Sequence, residues 1–269
     1  MNTLLVKWPG KIGSVFFSLL GKVNEFYCFI RDGFYHTFLA PLSGKKKPSA
    51  TDTVSQMINV GLDSTPIVLT ISTFIGMILA MQTAYQLKKY GIVQRVGDLV
   101  SVSITRELGP LITAIIVAGR IGASYAAEIG TMKVSEEIDA LRSMALNPIR
   151  FLVSPRLLGM IVMLPCLTIF GNIMGILGGF FISYYNLGIS SAIYWDRVIN
   201  ALVFKDIITG LIKSFFFALI IVFVGCFQGF TVENGAAGVG RNTTNSVVAS
   251  IFLIIAADCF FTALFYFAF

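Results

Sequence analysis

Charged side chains are rare in this chain, and several of them stand inside apolar sequence, where a charge needs a physical reason. Asp, Glu, Lys and Arg make up 13% of the 269 residues, whereas 56% are apolar and the mean hydropathy is +0.82. The charged residues in apolar surroundings are Arg106, Glu107, Arg120, Glu128, Lys213 and Asp258. A charge at membrane depth is costly and usually faces the protein interior, a cavity or an opposite charge. These residues are therefore the first candidates for a transport path or for ion pairs between helices.

The six residues fall into two groups by their predicted depth. Arg106, Glu107 and Lys213 are predicted at the outer ends of two membrane spans. They can snorkel to lipid headgroups, or they can line a cavity that holds an anionic headgroup, with Glu107 orienting Arg106. The deeper residues Arg120, Glu128 and Asp258 suit either a structural bond, Arg120–Glu128 or Arg120–Asp258, or a role in transport.

A charged run follows the second of these apolar stretches and predicts a short helix over residues 131–147. Val134, Ile138, Leu141 and Ala145 share one helical face, and the remaining positions include Glu136, Glu137, Asp139 and Arg142. Pro148 ends this helix because the residue before a proline is pushed out of the α region. The charged positions are either a solvated face or a docking surface for a cytoplasmic partner, and the spacing alone does not choose between them.

Five stretches have the length and composition of membrane spans, which need about 20 largely apolar residues. They cover about residues 65–87, 101–128, 157–185, 213–232 and 245–268. The second stretch is less apolar, but small residues recur in it at every fourth position: Ala114, Ala118, Gly122, Ala126 and Gly130. Such a ladder lets helix backbones approach closely in lipid. The predicted fold class is an all-α integral membrane protein with five transmembrane helices.

The N-terminal region, residues 1–54, differs in character from the membrane domain at residues 55–269. Apolar residues recur every three or four positions from Ile12 to Phe38 with charged residues between them, which predicts an amphipathic helix in the membrane interface. A basic linker follows at residues 43–48. The alternative is a signal peptide whose apolar core is 12–21, against which stand the continuing periodicity and the lack of a convincing cleavage site.

The distribution of basic residues predicts the orientation of the five spans. With the N-terminus inside, the inner segments 1–64, 120–156 and 233–241 hold 13 of the 20 Lys and Arg residues, and the outer segments 88–107 and 196–213 hold 7. Because Lys and Arg concentrate on cytoplasmic loops, we expect a cytoplasmic N-terminus and a C-terminus on the opposite side. The net charge of +6 then reflects contact with anionic lipid and not with nucleic acid.

Catalytic, metal-binding and cofactor-binding patterns are not found in the sequence. The run GAAGVGRN at residues 235–242 has the spacing of a phosphate-binding loop, but Arg241 replaces the lysine and Asn242 replaces the magnesium-binding Ser or Thr. The four cysteines form no CxxC pair, and no metal-ligand cluster or nucleophile–base pair is visible. We therefore expect a non-catalytic chain without a metal or cofactor of its own.

Two runs carry a resemblance to a known family. RELGP at residues 106–110 and AGRIGASYAAEIGTMKVSEEIDALRSMALNP at residues 118–148 closely resemble the MlaE-type permeases. These are membrane subunits of ABC transporters that move phospholipids between the membranes of Gram-negative bacteria and of chloroplasts. The similarity continues through Ser154-Pro155-Arg156, Lys213-Ser214 and residues 237–244 to Asp258, and so covers about residues 55–269.

The resemblance implies a homodimeric permease in the bacterial inner membrane with a periplasmic C-terminus. The region 128–148 corresponds to the coupling helix that sits in a groove of the cytoplasmic ATPase, which binds the ATP and Mg. The implied coupling residues are Glu128, Glu136, Glu137, Asp139 and Arg142, and the implied residues of the outward lipid cavity are Arg106, Glu107 and Lys213. Further implied partners are an MCE-domain protein and, in many systems, a STAS-domain protein.

Two other classes of function compete with this one. A self-contained secondary transporter would relay protons through Arg120, Glu128 and Asp258, but five spans without an internal repeat fit such carriers poorly. An intramembrane enzyme would need a catalytic constellation, and the sequence suggests none. A permease subunit that depends on a partner ATPase is the favoured interpretation.

Overall fold

The structure is a computed structural model that describes residues 7–39, 50–233 and 235–268. These residues form helices joined by short turns, and no strand occurs among them. Five helices are long and apolar enough to cross a membrane. The predicted fold class and number of spans are therefore confirmed. The predicted basic linker at residues 43–48 lies outside the described residues.

Eight helices follow one another in the described part of the chain. They are α1 (Lys7–Phe34, extended by a π-helical turn at Tyr35–Leu39), α2 (Ala50–Lys88), α3 (Val93–Val134), α4 (Glu137–Ser143), α5 (Ile149–Tyr185), α6 (Ser191–Ala201), α7 (Phe204–Phe230) and α8 (Gly235–Ala268). The membrane-spanning helices are α2, α3, α5, α7 and α8.

The spanning helices extend beyond the apolar stretches that predicted them. The first begins at Ala50 and not near residue 65, and the fourth begins at Phe204 and not at residue 213. Both extensions carry an acidic residue in the first helical turn, Asp52 in α2 and Asp206 in α7. Acidic residues stabilise a helix N-terminus through its dipole, so the helix continues where the apolar pattern has stopped.

Glycine residues bring α2 and α5 into direct backbone contact. A side chain at Gly76 would collide with the backbone oxygen of Gly175, and one at Gly178 would collide with the backbone oxygen of Thr73. Gly171 faces Ser72 in the same interface, where an added Cβ would lie 3.0 Å from its Oγ. In lipid the hydrophobic effect does not drive helices together. Van der Waals contact between closely packed backbones stabilises their association instead. It makes α2 and α5 one rigid pair.

The predicted ladder of small residues on α3 lies in the bundle interior, as expected. Ala114, Ala118 and Ala126 have no exposed surface, and Gly122 and Gly130 are also buried. The ladder packs against α7, where a Cβ at Gly225 would lie 3.0 Å from the oxygen of Gly122. Helix α3 is thus a central helix of the bundle.

Phenylalanine side chains attach the C-terminal half of α1 to α7. The ring of Phe26 lies 5.1 Å from that of Phe227, and Phe29 lies 5.7 Å from Phe227 and 5.6 Å from Phe230. Aromatic pairs at such distances add to the gain from burial. The predicted N-terminal helix therefore exists, and its placement in the membrane interface stays a prediction.

The contact of α2 with α5 makes a stability prediction. Gly76→Ala should lower the free energy of unfolding by about 1–3 kcal/mol, because its methyl group meets the backbone of Gly175, which cannot rotate away. Gly119→Ala is the matched control, since nothing lies within 4 Å of its Cβ position. Thermal unfolding in detergent measures both. Equal midpoints for the two variants would contradict the close contact.

Candidate functional site

A buried lysine joins three spanning helices. The side chain of Lys213 on α7 is 1% exposed, and its Nζ forms ion pairs with Glu107 on α3 and, at 2.9 Å, with Asp258 on α8. Nζ also donates to Thr262 Oγ1 at 2.8 Å, and this hydroxyl lies 3.1 Å from Glu107 Oε2. We call these four residues the outer ion cluster. It holds one ammonium and two carboxylate groups.

The depth of Lys213 corrects its predicted place at the lip of a span. Nine residues separate Lys213 from Phe204 at the start of α7, which is about 14 Å along a helix axis. The charged residues between 205 and 213 suggested an outer loop, but they belong to the first turns of α7. Lys213 is thus an internal residue of the span, where snorkelling to the surface is excluded by its burial.

Arg106 lies next to the outer ion cluster but pairs outside it. Its Nη1 is 3.7 Å from Asp206 Oδ1, and its side chain is 37% exposed. The prediction that Glu107 holds Arg106 is therefore wrong, because Glu107 is engaged by Lys213. A cavity of about 270 Å³ opens here, with both basic and aromatic groups in its wall. It is lined by Arg106, Lys205, Asp206, Thr209, Phe265 and Tyr266.

Two π-helical turns in α3 carry the charged residues that the sequence singled out. Ile104–Leu108 contains Arg106 and Glu107, and Ala118–Gly122 contains Arg120. A π-helical turn inserts an extra residue into a helix and is frequent at functional sites. Pro110 adds to the first irregularity because it has no backbone N–H to donate. The chain thereby aims these side chains away from the regular helical register.

Arg120 pairs with the first span, not with the residues predicted for it. Its Nη2 lies 3.3 Å from Asp63 Oδ2, and its Nη1 donates to Ser64 Oγ at 3.1 Å. Asp258 belongs to the outer ion cluster, and Glu107 in that cluster is thirteen residues from Arg120, about 20 Å along α3. Among the contacts of the described residues, Arg120, Glu128 and Asp258 therefore share no common network.

Glu128, whose side chain is 48% exposed, forms an ion pair with the buried Arg156 on α5. Arg156 Nη2 lies 2.7 Å from Glu128 Oε2, and the arginine side chain is 8% exposed. Ser124 Oγ donates to the other carboxylate oxygen of Glu128 at 2.6 Å. Arg156 Nη1 also donates to the oxygen of Leu152 at 3.0 Å. Glu128 therefore joins two spans, as a structural ion pair was expected to do, but its partner is Arg156 and not Arg120.

The charged segment between the second and third spans is shorter and more bent than the single helix predicted over residues 131–147. Helix α3 ends at Val134, and α4 covers Glu137–Ser143 after a residue in the left-handed conformation, Glu136, at φ 61°. Ile138 and Leu141 of the predicted apolar face are buried against the bundle, whereas Val134 and Ala145 of that face are exposed, because α3 ends at Val134 and Ala145 lies beyond the end of α4.

The charged side chains of α4 are directed away from the bundle core. Glu136, Glu137, Asp139 and Arg142 are exposed, and Arg142 pairs with Asp139 at 3.0 Å, with both side chains more than half exposed. Ser135 Oγ donates to Glu137 Oε1 at 2.8 Å. The arrangement is a small charged surface held by two buried apolar anchors, which suits a polar docking surface.

The run that imitates a phosphate-binding loop is helical. Residues 235–242 form the first two turns of α8, and Asn242 Nδ2 donates to the backbone oxygen of Gln228 on α7 at 2.9 Å. A phosphate-binding loop needs a non-helical run of backbone N–H groups before its helix. The dismissal of this motif as an ATP site agrees with the geometry.

Several residues of the site were missed by sequence reasoning. Asp63, Arg156 and Asp206 each form an ion pair with a candidate residue, and the sequence pattern does not predict these pairs. Thr262 was read as part of an apolar span. Each of these residues lies in an apolar or weakly polar stretch, opposite a charged side chain on another helix. Comparing the depths of polar residues along the predicted helices could have identified these pairs.

Five spanning helices with ion pairs inside the bundle define a multi-pass α-helical membrane protein. The permease MlaE family matches residues 53–264. The chain belongs to that family, and several of its relatives are named as probable ABC transporter permease proteins.

Three relatives represent this similarity. A probable ABC transporter permease protein of Rickettsia prowazekii (strain Madrid E) is 39% identical over 213 residues, 79% of this chain and 82% of the relative. One from Synechocystis sp. is 40% identical over 209 residues, 78% of this chain and 80% of the relative. The chloroplastic protein trigalactosyldiacylglycerol 1 of Arabidopsis thaliana is 37% identical over 215 residues, 80% of this chain and 61% of the relative.

The outer ion cluster makes a prediction about stability. Lys213→Met should lower the free energy of unfolding by about 3–5 kcal/mol, because it leaves two carboxylates without their buried partner. Adding Glu107→Gln should recover part of the loss, since one uncompensated charge disappears. Unfolding in mixed micelles measures these differences.

The control for this prediction is an exposed ion pair. Arg142→Met removes a cation whose partner Asp139 is also exposed, so the expected loss is below about 1 kcal/mol. If Lys213→Met costs no more than this control, the cluster does not hold the three helices together.

Proposed function

We propose that this chain is the permease subunit of an ABC transporter that moves phospholipids between the inner and outer membranes, driven by ATP hydrolysis on a partner ATPase. The observation that carries the proposal is the cavity beside the outer ion cluster, where Arg106 and Lys205 stand next to Phe265 and Tyr266. A phospholipid has an anionic phosphate and apolar acyl chains. A wall that combines guanidinium and ammonium groups with aromatic rings suits both parts.

The charge balance of the cavity supports an anionic headgroup. Its lining includes two cations, Arg106 and Lys205, and one carboxylate, Asp206, which lies at the weak distance of 3.7 Å from Arg106. A phosphate can bind a guanidinium bidentately at much shorter distance. The resemblance also assigned Lys213 to the cavity. Its ammonium group pairs with Glu107 and Asp258, so it would stabilise the helices around the cavity without contacting lipid itself.

The name of one relative supports a lipid as the substrate. The Arabidopsis relative is named after trigalactosyldiacylglycerol, a lipid with a diacylglycerol body. A diacylglycerol body is shared by glycerophospholipids, so the same apolar path would suit both. The headgroup preference then depends on the polar lining of the cavity.

The proposed orientation places α4 in the cytoplasm and the outer ion cluster towards the periplasm of a bacterial inner membrane. The excess of basic residues on the inner segments supports it, 13 against 7. In this orientation the exposed charges of α4 face the compartment that contains ATP. We assign α4 as the coupling helix that docks to the ATPase.

Further partners of the proposed complex follow from the family resemblance. They are a second copy of this chain, an MCE-domain protein on the outer side and, in some systems, a STAS-domain protein. The apolar side chains Val248, Phe252 and Ile255 on α8 are more than half exposed in the single chain, which supplies a surface for the second copy. ATP and Mg would bind to the ATPase.

The competing function, a self-contained proton-coupled carrier, is less well supported. Its proposed relay residues Arg120, Glu128 and Asp258 each pair with a different partner at a different depth of the bundle. A relay requires neighbouring groups that exchange protons. The three ion pairs serve better as contacts between helices.

The first functional prediction concerns the cavity. Arg106→Glu should reduce phospholipid transfer by about tenfold or more, because it replaces the cation facing the phosphate by a charge that repels it. Transfer is measured with a labelled phospholipid in proteoliposomes that contain the complete complex. Copurification of the ATPase should be unchanged.

Arg95→Glu is the control for this variant. Arg95 is an exposed arginine near the start of α3 and does not line the cavity. Equal loss of transfer in both variants would show a general effect of outer charge and would refute the headgroup assignment.

The second functional prediction concerns docking. The double variant Glu136→Lys with Glu137→Lys should lose copurification of the ATPase while the chain still inserts, because exposed charges contribute only a few tenths of a kcal/mol to folding. Glu233→Lys, an exposed acidic residue outside α4, should retain the ATPase. If the double variant retained the ATPase, the charged residues of α4 would be a solvated surface and not a docking site.

A further inference from the structure

The Arg156–Glu128 ion pair lies at the base of the segment that carries α4. Glu128 is six residues before Val134, where α3 ends, and Arg156 is seven residues after Ile149, where α5 begins. The 2.7 Å contact between them therefore closes the chain into a loop with α4 at its tip. Any displacement of α4 reaches the membrane bundle through these two helix ends.

Arg156 is held on several sides at once. Its guanidinium pairs with Glu128, donates to the oxygen of Leu152 and lies 5.3 Å from the ring centre of Tyr125. Tyr125 is itself 2% exposed. A planar cation with a bidentate fork and a flat face can satisfy a carboxylate, a carbonyl and an aromatic ring together, which a lysine cannot. The position of the arginine is thus determined by its surroundings.

A second set of contacts holds the beginning of α5 against the end of α1. Thr37 Oγ1 donates to the buried Ser154 Oγ at 2.9 Å, two residues before Arg156. Asn147 Nδ2 lies 3.0 Å from His36 Nε2, and its Oδ1 accepts from the backbone N–H of Ile149 at 2.9 Å. The start of α5 is therefore fixed on one side by α1 and on the other by Glu128 of α3.

The two buried apolar side chains of α4 belong to the same core as the start of α5. Ile138 and Leu141 belong to one buried cluster with Leu152 and Val153, in the turn of α5 that precedes Arg156. The buried side chains of α4 and those at the start of α5 thus belong to the same core, next to the ion pair of α3 and α5.

We infer that Arg156 is a positioning residue that, through Glu128, makes α3 and α5 move together when the ATPase acts on α4. This inference rests on the proposed function. It differs from a docking role for Glu128, since the carboxylate acts inside the chain and not on the partner. Because α3 also carries Glu107 and Arg106 at its other end, the ion pair connects the inner segment with the cavity.

The test is the number of phospholipid molecules transferred per ATP hydrolysed by the complete complex in proteoliposomes. Arg156→Gln and Glu128→Gln should each lower this ratio about tenfold or more, because either change removes the ion pair between α3 and α5, and Glu128→Gln also leaves the buried Arg156 without its counter-charge. ATP hydrolysis should continue, and the ATPase should remain bound. The exposed pair Arg31–Asp32 supplies the control, Arg31→Gln, for which the ratio should not change.

The charge-swapped double variant, Arg156→Glu with Glu128→Arg, separates positioning from folding. It should recover the ratio to within about fivefold of the wild type, because the attraction between the two helices returns although Leu152 and Tyr125 lose their cation. Arg156→Lys should give an intermediate ratio.

Three results would contradict the inference that Arg156 makes α3 and α5 move together. Single variants with less complex in the membrane but an unchanged ratio would overturn the inference, because Arg156 would then serve folding alone. Single variants with a lowered ratio that the swap does not improve would also overturn it. A wild-type complex that hydrolyses ATP and moves no phospholipid overturns the proposed function, and this inference with it.

Discussion

The burial of one ammonium group constrains this structure more than any other single contact. Lys213 is 1% exposed and lies nine residues after Phe204 in the spanning helix α7, so its ammonium group is surrounded by protein and not by solvent. Such a charge is tolerated only when opposite charges and hydrogen-bond acceptors surround it. Glu107 and Asp258 supply the charges from two other helices, so that α3, α7 and α8 must meet at one depth.

The backbone contacts of the bundle follow from that requirement. A Cβ at Gly210 on α7, one turn before Lys213, would collide with the backbone oxygen of Thr105 on α3. Thr105 lies in the first π-helical turn, beside Arg106 and Glu107. The absence of a side chain at Gly210 thus permits the approach that the ion pair needs, and the irregular turn directs Glu107 towards the lysine. At this contact, the buried ion pair can form because the small residue Gly210 lets the two helices approach.

The sequence predicted the features that depend on local pattern. Apolar length predicted five spans, and the four-residue ladder predicted the buried face of α3. Of the apolar face predicted around α4, Ile138 and Leu141 are buried, whereas Val134 and Ala145 are exposed. The spacing of Gly171, Gly175 and Gly179 on α5 carries the same small-residue signal for the contact with α2, and it could have predicted that contact as well.

The sequence could not predict the pairing of charges, because pairing depends on relative depth. The sequence predicts Arg120 near Glu128 or Asp258, but Arg120 contacts Asp63, which precedes the predicted first span and lies inside α2. Lys213 was expected at a helix end because the polar start of α7 resembled a loop. A change of one turn in a helix boundary moves a side chain by about 5.4 Å, which is more than the length of an ion pair. The roles of these residues in transport stay predictions.

Helix α3 carries charged residues at three depths of the bundle, and each of them contacts another spanning helix. Glu107 forms an ion pair with Lys213 on α7 and accepts a hydrogen bond from Thr262 on α8, Arg120 pairs with α2, and Glu128 pairs with α5. A charged side chain of α3 therefore contacts every other spanning helix. The π-helical turns lie beside the first two of these contacts, where the hydrogen-bond ladder is least regular and bending costs least. A displacement that begins at the inner end of α3 is therefore not confined to that end. It must either carry the paired helices along or bend α3 at these turns, and both responses change the surroundings of Arg106.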